Sequence, residues 1–322
     1  MKFLVTGGAG FIGSNIVEEL LKRGYSVRVL DNFSTGKREN LLVPLGKDFK
    51  NDIELIEGDI RSFHTVIQAV KGVDVILHQA ALPSVPRSIK DPITSNEVNV
   101  VGTLNILDAA KDSGVKRVVY ASSSSVYGDN PELPKHEGMM PNPLSPYAVS
   151  KLAGEKYCQV FSRLYGIETV ILRYFNVFGP RQDPNSEYSA VIPKFIRLMS
   201  NDQSPTIFGD GTQSRDFTYV ANVVEANILA ATKEDCPKDP YGKTGLVMNC
   251  ACHGQVTLNA LVHELNVLLN KDVKPIYADK RPGDILHSFA DINLIEKKLG
   301  FTPSVEFKEG LKQTISYFER IQ

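Results

Sequence analysis

The chain has 322 residues, of which 42% are hydrophobic, and its 36 basic residues nearly balance 37 acidic ones, giving a net charge of −1. This length can bury a substantial core in about two domains, whereas so small a charge provides no field for a nucleic acid or an anionic membrane. No apolar run reaches the roughly 18 residues of a membrane-spanning helix. The four cysteines are scattered and a folded motif begins at the first residues, so we expect a cytoplasmic protein without a signal peptide or disulfide framework.

The first half of the chain alternates short apolar runs with longer amphipathic segments. Strands buried on both faces are apolar throughout, so the runs predict parallel strands and the segments predict the helices between them. Repeated βα units favour an α/β fold, a doubly wound parallel sheet of the Rossmann type. The predicted strands are Lys2–Thr6, Ser26–Leu30, Ile53–Glu57, Val73–Gln79, Arg117–Ser122 and Glu168–Arg173, and the predicted helices are Phe11–Arg23, Phe63–Val70, Ile93–Lys111 and Ser145–Tyr165.

Beyond Arg173 the chain becomes richer in proline and its apolar runs become shorter. This change predicts a first domain over residues 1–178, which also uses part of 218–250, and a smaller α/β domain over 179–322. Ligands usually bind in the cleft between two such domains.

A glycine-rich loop follows the first predicted strand. Gly8, Gly10 and Gly13 match the pattern G-x-G-x-x-G, and Gly7, Gly10 and Gly13 match its looser form. Glycines allow a tight turn and let backbone N–H groups approach a pyrophosphate, which then faces the N-terminus of the next helix. The position between a strand and a helix favours dinucleotide binding.

The second predicted strand runs into Asp31, about 20 residues beyond the loop. A carboxylate there can accept hydrogen bonds from both ribose hydroxyls and would repel a 2′-phosphate, so NAD is favoured over NADP. Arg28 and Arg38 lie close by in the sequence and could contact a 2′-phosphate, so NADP stays open as the alternative.

The next informative helix carries a tyrosine and a lysine. Ser145 can cap it, Pro146 suits its first position, and Tyr147 and Lys151 are neighbours on one face. An ammonium beside a phenol and a cationic nicotinamide lowers the pKa of the tyrosine. Tyr147 can then take a proton from a sugar hydroxyl while a hydride leaves the same carbon. By itself this pair is more often a solvated helix face.

A run of serines, Ser122 to Ser125, continues from the strand before that helix. The carboxyl ends of parallel strands are where ligands gather. Ser123 is the hydroxyl that we expect beside the substrate oxygen, where it assists the proton transfer, whereas Ser125 is more simply part of a turn.

With these motifs the chain resembles the extended short-chain dehydrogenase/reductases of the NAD-dependent epimerase/dehydratase family, which act on nucleotide sugars. The resemblance covers essentially the whole chain. Besides the serine run and the tyrosine–lysine pair, the motifs that carry it are Thr6–Gly13, Asp31–Gly36, Gly58–Ile60, His78–Ala81, Asn99–Thr103 and Arg173–Gly179.

The resemblance implies Tyr147, Lys151 and Ser123 as the catalytic residues. It also implies that Asp59 and Ile60 flank the adenine and that Tyr174 lies near the nicotinamide. The full set expected to bind NAD is Gly7, Gly10, Phe11, Ile12, Gly13, Asp31, Asn32, Ser34, Thr35, Gly36, Asp59, Ile60, Gln79, Ala80, Ala81, Asn99, Ser122, Tyr147, Lys151 and Tyr174.

The resemblance further implies a nucleotide-sugar site in the second domain. There Ala190, Val191 and Phe208 would hold a uracil, and Arg215 and Arg281 would clamp the pyrophosphate. The full set expected to bind the substrate is Ser84, Ser123, Ser124, Tyr147, Asn176, Ala190, Val191, Phe208, Arg215, Arg281, Asp284 and Ser288.

Three reactions share this scaffold, and the residues after Ser123 separate them. Relatives that dehydrate the sugar carry an Asp-Glu pair where this chain has Ser124 and Ser125, and no motif for decarboxylation is evident. The resemblance therefore implies a C4 epimerase of UDP-hexoses. Asn142–Tyr147, Arg181–Asn185 and Gly283–Ser288 resemble the subgroup that acts on UDP-N-acetylglucosamine.

Ser288 occupies the position where epimerases restricted to glucose and galactose typically carry a tyrosine. A serine leaves room for an N-acetyl group, so we expect UDP-GlcNAc and UDP-GalNAc as substrates, with activity on the plain sugars too. A restricted UDP-glucose 4-epimerase is the alternative. Pro83 stands where glucose-type enzymes often have a lysine near the cofactor, so Ser84 can reach the sugar instead.

Two other classes of protein are disfavoured. A non-catalytic NAD sensor on this fold usually lacks the tyrosine or the lysine, and Cys250, Cys252 and His253 match no usual zinc spacing. We expect no metal. We also expect a homodimer, because the helices Ile93–Lys111 and Tyr147–Tyr165 carry apolar positions beyond those that cover a sheet, and in relatives these helices pair across a two-fold axis. The positions are Leu104, Leu107, Leu152 and Phe161.

Overall fold

The computed structural model describes residues 1–42, 53–184, 190–280 and 286–321. Its strands are β1 Lys2–Thr6, β2 Ser26–Asp31, β3 Ile53–Glu57, β4 Val75–His78, β5 Arg117–Ser123, β6 Glu168–Tyr174, β7 Val177–Phe178, β8 Thr206–Phe208, β9 Ser214–Arg215, β10 Thr218–Tyr219, β11 Leu246–Cys250, β12 Val256–Thr257, β13 Ile276–Ala278 and β14 His287–Ser288.

Helices connect these strands. They are α1 Phe11–Lys22, α2 Glu39–Leu42, α3 Phe63–Val70, α4 Val85–Lys90, α5 Pro92–Asn96, α6 Gly102–Asp112, α7 Pro146–Tyr165, α8 Val191–Ser200, α9 Val220–Thr232, α10 Leu258–Leu269, α11 Asn293–Leu299 and α12 Phe307–Ile321, with a π-turn at Glu97–Val101 and a 3₁₀ turn at Ser124–Tyr127.

Seven parallel strands form the central sheet, in the order β3-β2-β1-β4-β5-β6-β11. The chain winds outward from β1 in both directions, so the crevice beyond the carboxyl ends of β1 and β4 is where a doubly wound sheet binds its ligand. The predicted fold class is confirmed. The predicted strands are present, although β4 is shorter than Val73–Gln79 and β2, β5 and β6 each run one residue further.

Both faces of this sheet are buried. Phe3, Val5 and Leu77 belong to one buried cluster, and Leu4 and Ile76 belong to the other. Neighbouring residues of one strand point to opposite faces, which explains why residues 3–5 and 75–77 are apolar without a break. Helices therefore cover the sheet on both sides. The edge strand β3 is more exposed and carries two glutamates. Among the described residues, no helix is long and apolar enough to cross a membrane.

The predicted helix Ile93–Lys111 is present as a continuous helical stretch, but it is not α-helical throughout. In the structure, α5 begins at Pro92, with Asp91 as its N-cap, and a π-turn over Glu97–Val101 separates it from α6. The buried side chain of Asn99 lies in that turn and bonds to groups outside the helix, so the backbone there departs from the α-helical spacing.

The second half of the chain returns to the sheet. Helix α9 packs against α1 and β5, and β11 pairs with β6 as the seventh strand. Three small sheets, β7 with β10, β9 between β12 and β14, and β8 with β13, lie outside it. The division into domains over 1–178, with part of 218–250, and 179–322 stays a prediction.

Candidate active site

The glycine loop between β1 and α1 is too crowded for side chains. A Cβ on Gly13 would lie 2.1 Å from the carbonyl oxygen of Gly7, and Gly7 itself has a φ of +68° with its Cβ position 2.8 Å from the backbone of Ala80. Helix α1 follows at once, and no side chain caps its first turn at Gly10. Its N–H groups are therefore available to an anion, and the cradle fits a pyrophosphate.

Asp31 at the end of β2 is nearly buried and joins the loop to the strand. Its Oδ2 accepts a hydrogen bond from Ala9 N at 2.9 Å, and its Oδ1 accepts one from Phe33 N at 2.8 Å. Each oxygen can still accept another hydrogen bond. The carboxylate therefore shapes the loop, and it keeps the capacity to accept hydrogen bonds from a group bound in the cleft.

The two arginines near Asp31 are engaged elsewhere. Arg28 donates to the carbonyl oxygens of Ala69 and Lys71 and pairs with Glu54. Arg38 pairs with Glu57 and stacks over an aromatic ring. Neither guanidinium is arranged around Asp31, so the region fits a cofactor without a 2′-phosphate.

A cleft along the carboxyl ends of the strands brings most of the expected cofactor residues together. Eighteen of those residues line it: Gly7, Gly10, Phe11, Ile12, Gly13, Asp31, Asn32, Ser34, Thr35, Asp59, Ile60, Gln79, Ala80, Ala81, Ser122, Tyr147, Lys151 and Tyr174. Sequence reasoning did not assign six further lining residues, which carry no polar side chain to single them out: Leu30, Gly58, Leu82, Pro83, Val98 and Ala121.

Gly36 and Asn99 are not in the lining of this cleft. A Cβ on Gly36 would lie 2.9 Å from the backbone of Ala9, so this glycine permits close packing against the loop. Asn99 is buried, accepts a hydrogen bond from Leu82 N at 2.8 Å and donates one to Ser150 Oγ at 3.0 Å. Asn99 therefore holds the backbone that lines the cleft.

Asp59, which is predicted to lie beside the adenine, lines one end of the cleft. Side-chain hydrogen bonds from Arg61 lower the pKa of this carboxyl, and Asn32 Nδ2 donates to it at 3.0 Å. At the other end, the Tyr174 hydroxyl donates to Gln79 Oε1 at 3.1 Å and shares a second hydrogen bond with Asn227. Asn227 belongs to α9, and it had no signal in the sequence.

Tyr147 and Lys151 line the cleft, and Ser123 follows the lining residue Ser122 at the end of β5. Ser145 caps α7 as predicted, accepting a hydrogen bond from Ala148 N at 3.2 Å. Burial lowers the pKa of Lys151 to about 8, and its Nζ donates to the carbonyl oxygen of Ala121 at 2.9 Å. Tyr147 and Ser123 share a hydrogen bond.

The protein alone does not lower the pKa of Tyr147, so the predicted lowering, which includes the charge of the nicotinamide, stays a prediction. Burial raises the pKa of the phenol, and the hydrogen bond with Ser123 only partly offsets that effect. The Lys151 ammonium lies 5.9 Å from the centre of the Tyr147 ring and is bound to a carbonyl oxygen. Desolvation of the phenolate therefore outweighs the attraction of the lysine.

A second cleft lies beyond the first. It brings together five of the expected substrate residues, Asn176, Ala190, Val191, Phe208 and Arg215. Its remaining lining was missed in the sequence, because short strands and loops far apart in the chain converge there: Val177, Phe178, Ile192, Lys194, Phe195, Thr206, Gln213, Phe217 and Leu258.

Of the other expected substrate residues, Tyr147 lines the first cleft. The lining of neither cleft includes Ser84, Ser123, Ser124 or Ser288. Ser84 has a φ of +97° and caps α4 by accepting a hydrogen bond from Arg87 N at 3.3 Å. Ser124 begins a 3₁₀ turn. Ser288 lies on β14 in register with Arg215. The predictions for Arg281 and Asp284 lie outside the described residues.

The sulfur-rich segment after β11 is used for packing. The Cys252 sulfur accepts a hydrogen bond from Asn222, and His253 Nδ1 bonds the carbonyl oxygen of Ala290. Cys250 is fully buried. Within the part of the chain that the structure describes, no group of three or more His, Cys, Asp or Glu residues has an arrangement that could hold a metal ion.

Comparison with known proteins identifies close relatives. Residues 3–242 match the NAD dependent epimerase/dehydratase family. A UDP-glucose 4-epimerase of Mycolicibacterium smegmatis is 37% identical over 99% of this chain and 98% of its own. The structure of UDP-N-acetylglucosamine 4-epimerase from Methanobrevibacter ruminantium with UDP-N-acetylmuramic acid is 41% identical with a TM-score of 0.91, and that of UDP-glucose 4-epimerase from Thermotoga maritima with UDP-glucose is 36% identical with a TM-score of 0.91. Both structures match over 100% of this chain and 99% of theirs.

Proposed function

The chain belongs to the NAD-dependent epimerase/dehydratase family and is an NAD-dependent isomerase, a UDP-sugar 4-epimerase; from this premise we propose that it interconverts UDP-N-acetylglucosamine and UDP-N-acetylgalactosamine. The same site admits UDP-glucose and UDP-galactose. The observation that carries the proposal is the small Ser288 side chain on β14, in register with Arg215, which lines the second cleft.

The catalytic residues proposed for this reaction are Tyr147, Ser123 and Lys151. NAD supplies reversible hydride transfer at C4 of the sugar when it is bound in the first cleft. Tyr147, as the phenolate, takes the proton of the O4 hydroxyl, so that C4 becomes a carbonyl, and gives the proton back when the opposite face of the sugar is reduced. Ser123 bonds the same oxygen, and Lys151 stabilises the phenolate.

The second cleft suits the nucleotide half of the substrate. Val191 and Phe208 offer apolar surface for a base, and the Arg215 side chain offers a permanently charged, planar donor for phosphate oxygens. Arg215 Nη1 also donates to the carbonyl oxygens of Ser214 and Leu286, which fixes the direction of the side chain. With the nucleotide anchored there, the 4-keto sugar can turn its other face toward the first cleft.

The space near the sugar decides the substrate. Ser288 N–H and C=O lie on β14, and the Ser288 carbonyl oxygen accepts a hydrogen bond from Asp216 N at 2.9 Å, so its backbone is fixed. Because this backbone is fixed, a tyrosine at this position could not shift away from its surroundings. Forcing a bulky side chain into a packed space costs about 1–3 kcal/mol or more. A serine leaves that volume to the 2-substituent of the sugar.

The test incubates the purified protein separately with UDP-N-acetylglucosamine and UDP-glucose and resolves the products by anion-exchange chromatography. We expect both C4 epimers. Tyr147→Phe should lower both rates about 10²–10⁴-fold, as expected for loss of a general base, whereas Tyr165→Phe on the exposed side of α7 should not. Ser288→Tyr should lose the acetylated substrate and keep UDP-glucose. Turnover of UDP-glucose alone would favour a glucose-restricted enzyme, and no C4 epimer from either sugar would refute the substrate proposal.

We further propose a homodimer formed by α5, the π-turn and α7. The positions expected from the sequence are wrong, because Leu107 and Phe161 are buried in the core and Leu104 and Leu152 pack against it. A different apolar set on the same helices is exposed to solvent: Ile93, Val101, Val149, Val160 and Leu164.

A further inference from the structure

Consecutive residues at the C-terminal end of β5 are held by successive turns of α7. Lys151 Nζ donates to the carbonyl oxygen of Ala121 at 2.9 Å, and the hydroxyl of Ser122 donates to Glu155 Oε1 at 2.5 Å. Lys151 and Glu155 are one helical turn apart, so they lie on the same face of α7. Two adjacent contacts of this kind fix how β5 sits along the helix.

The catalytic pair continues the same series. Tyr147 lies one turn before Lys151 on that face, and it bonds Ser123, the next residue of β5. A shift of β5 along α7 would therefore separate the two hydroxyls. Glu155 provides one of the three contacts that prevent such a shift.

Glu155 is a fully buried carboxylate with an arginine as its partner. Arg173 Nε and Nη2 donate to its two oxygens at 2.8 and 2.7 Å. Arg173 lies on β6 in register with Ser122. A buried ion pair is costly to desolvate, and an uncharged acceptor would satisfy the serine equally well. The charge of Glu155 therefore calls for a separate explanation.

That explanation lies in the surroundings of Lys151. Burial keeps Cys158 a thiol and Tyr120 a phenol by raising their pKa values, and lowers the pKa of His78 to about 3, so these groups are neutral. Glu155 is the carboxylate that opposes the loss of the Lys151 proton. The ionisable groups that face Lys151 are Tyr147, Glu155 and Cys158 on α7, Tyr120 on β5 and His78 on β4.

We propose that Glu155 is a positioning residue of this enzyme, which fixes the register of Ser122 and Ser123 against α7 and keeps the Lys151 side chain charged. The proposal rests on the proposed roles of Tyr147, Ser123 and Lys151 in epimerisation. Arg173 balances the charge of the carboxylate through two hydrogen bonds. Glu155 touches neither the sugar nor the cofactor in this scheme.

The test compares Glu155→Gln with a matched control. Glutamine keeps an acceptor for Ser122 and removes the charge. The control, Glu168→Gln, breaks the ion pair with Arg117 at the opposite end of the same two strands, where Glu168 Oε2 accepts from Arg117 Nε at 2.8 Å. A double variant, Glu155→Met with Arg173→Met, removes the pair without leaving an unbalanced charge and guards against loss of the fold.

Two measurements are made on each NAD-loaded protein. Lysine labelled with ¹³C gives the pKa of Lys151 directly by NMR, with the signal assigned from a Lys151→Arg variant, and product formation gives kcat and KM against pH. In Glu155→Gln and in the double variant, we expect the Lys151 pKa to fall by about one unit or more. The high-pH limb of kcat should move by the same amount, with kcat near pH 8 reduced roughly fivefold or more and KM nearly unchanged.

The proposal is overturned if the Lys151 pKa and the kcat profile of both Glu155 variants match those of Glu168→Gln, even if all three proteins lose thermal stability. A wild-type protein that forms no C4 epimer refutes the proposed function instead, and the NMR titration still decides whether Glu155 controls the charge of Lys151.

Discussion

The imidazole of His78 joins three elements beneath the first cleft. Its Nδ1 shares a hydrogen bond of 2.7 Å with Thr6 Oγ1, its Nε2 shares one of 3.0 Å with Thr103 Oγ1, and Thr6 Oγ1 also accepts from Ala80 N. Ala80 is the residue that packs against Gly7. A buried side chain without catalytic chemistry thus fixes the wall of the cofactor cleft.

Protonation of His78 should weaken the fold. Burial, with a contribution from Lys151, lowers its pKa from 6.5 to about 3, so the unfolded chain binds the proton first. The stability contributed by the neutral ring is complete above pH 6.5 and is lost as the pH falls toward 3. Urea unfolding measures the free energy of unfolding at pH 7 and at pH 5. Its decrease between these two pH values should be smaller by about 2 kcal/mol in His78→Asn than in the wild type. Exposed His64→Asn serves as control; an equal drop in all three proteins would contradict the prediction.

At the scale of elements, sequence patterns predict best where burial is uniform. The inner strands of the central sheet are recognisable because both of their faces are covered, whereas the edge strand β3 is partly exposed. The π-turn before α6 is not, because it depends on bonds that Asn99 makes to Leu82 and Ser150, and these are contacts in space. The predicted lining of the second cleft was incomplete for the same reason. Lys194 and Gln213 enter it from segments that share no periodic pattern.

The glycine loop is the element whose sequence signal and geometry agree most closely. In Gly13→Ala, the new Cβ would meet the Gly7 carbonyl oxygen, which is backbone and can move only by opening the loop. A cost of about 1–3 kcal/mol at this point should weaken NAD retention roughly tenfold to a hundredfold, measured as nucleotide released on denaturation. Gly254→Ala, whose Cβ would lie 3.8 Å from its nearest neighbour, is the matched control. Equal retention in both variants would contradict the steric argument.

For the whole molecule, the chain crosses between the two clefts more than once. After contributing Arg215 to the second cleft, it returns as α9, whose Asn227 bonds Tyr174 in the first cleft, and then as β11 in the central sheet. The same stretch of chain therefore contributes residues to both clefts. A clean boundary near residue 178 cannot be read from composition, because the chain leaves the sheet and rejoins it.

The exposed apolar stripe on α7 leads to a prediction about assembly. Val149, Val160 and Leu164 recur at helical spacing, with Leu164 exposed to 69% and Ile93 on the neighbouring α5 to 72%. A monomer would leave this surface in water, whereas two copies can bury it together at a gain of about 25 cal/mol per Å².

Light scattering during gel filtration at micromolar concentration should give a dimer for the wild type and a monomer for Leu164→Glu. A charge at this position would have to be buried without a partner. Val267→Glu, on the exposed face of α10 and also more than half exposed, should leave the dimer intact. A monomeric wild type would refute the predicted assembly. If both variants were monomeric, the interface would not be confined to α7, because α10 lies in the other half of the chain and is not part of the proposed interface.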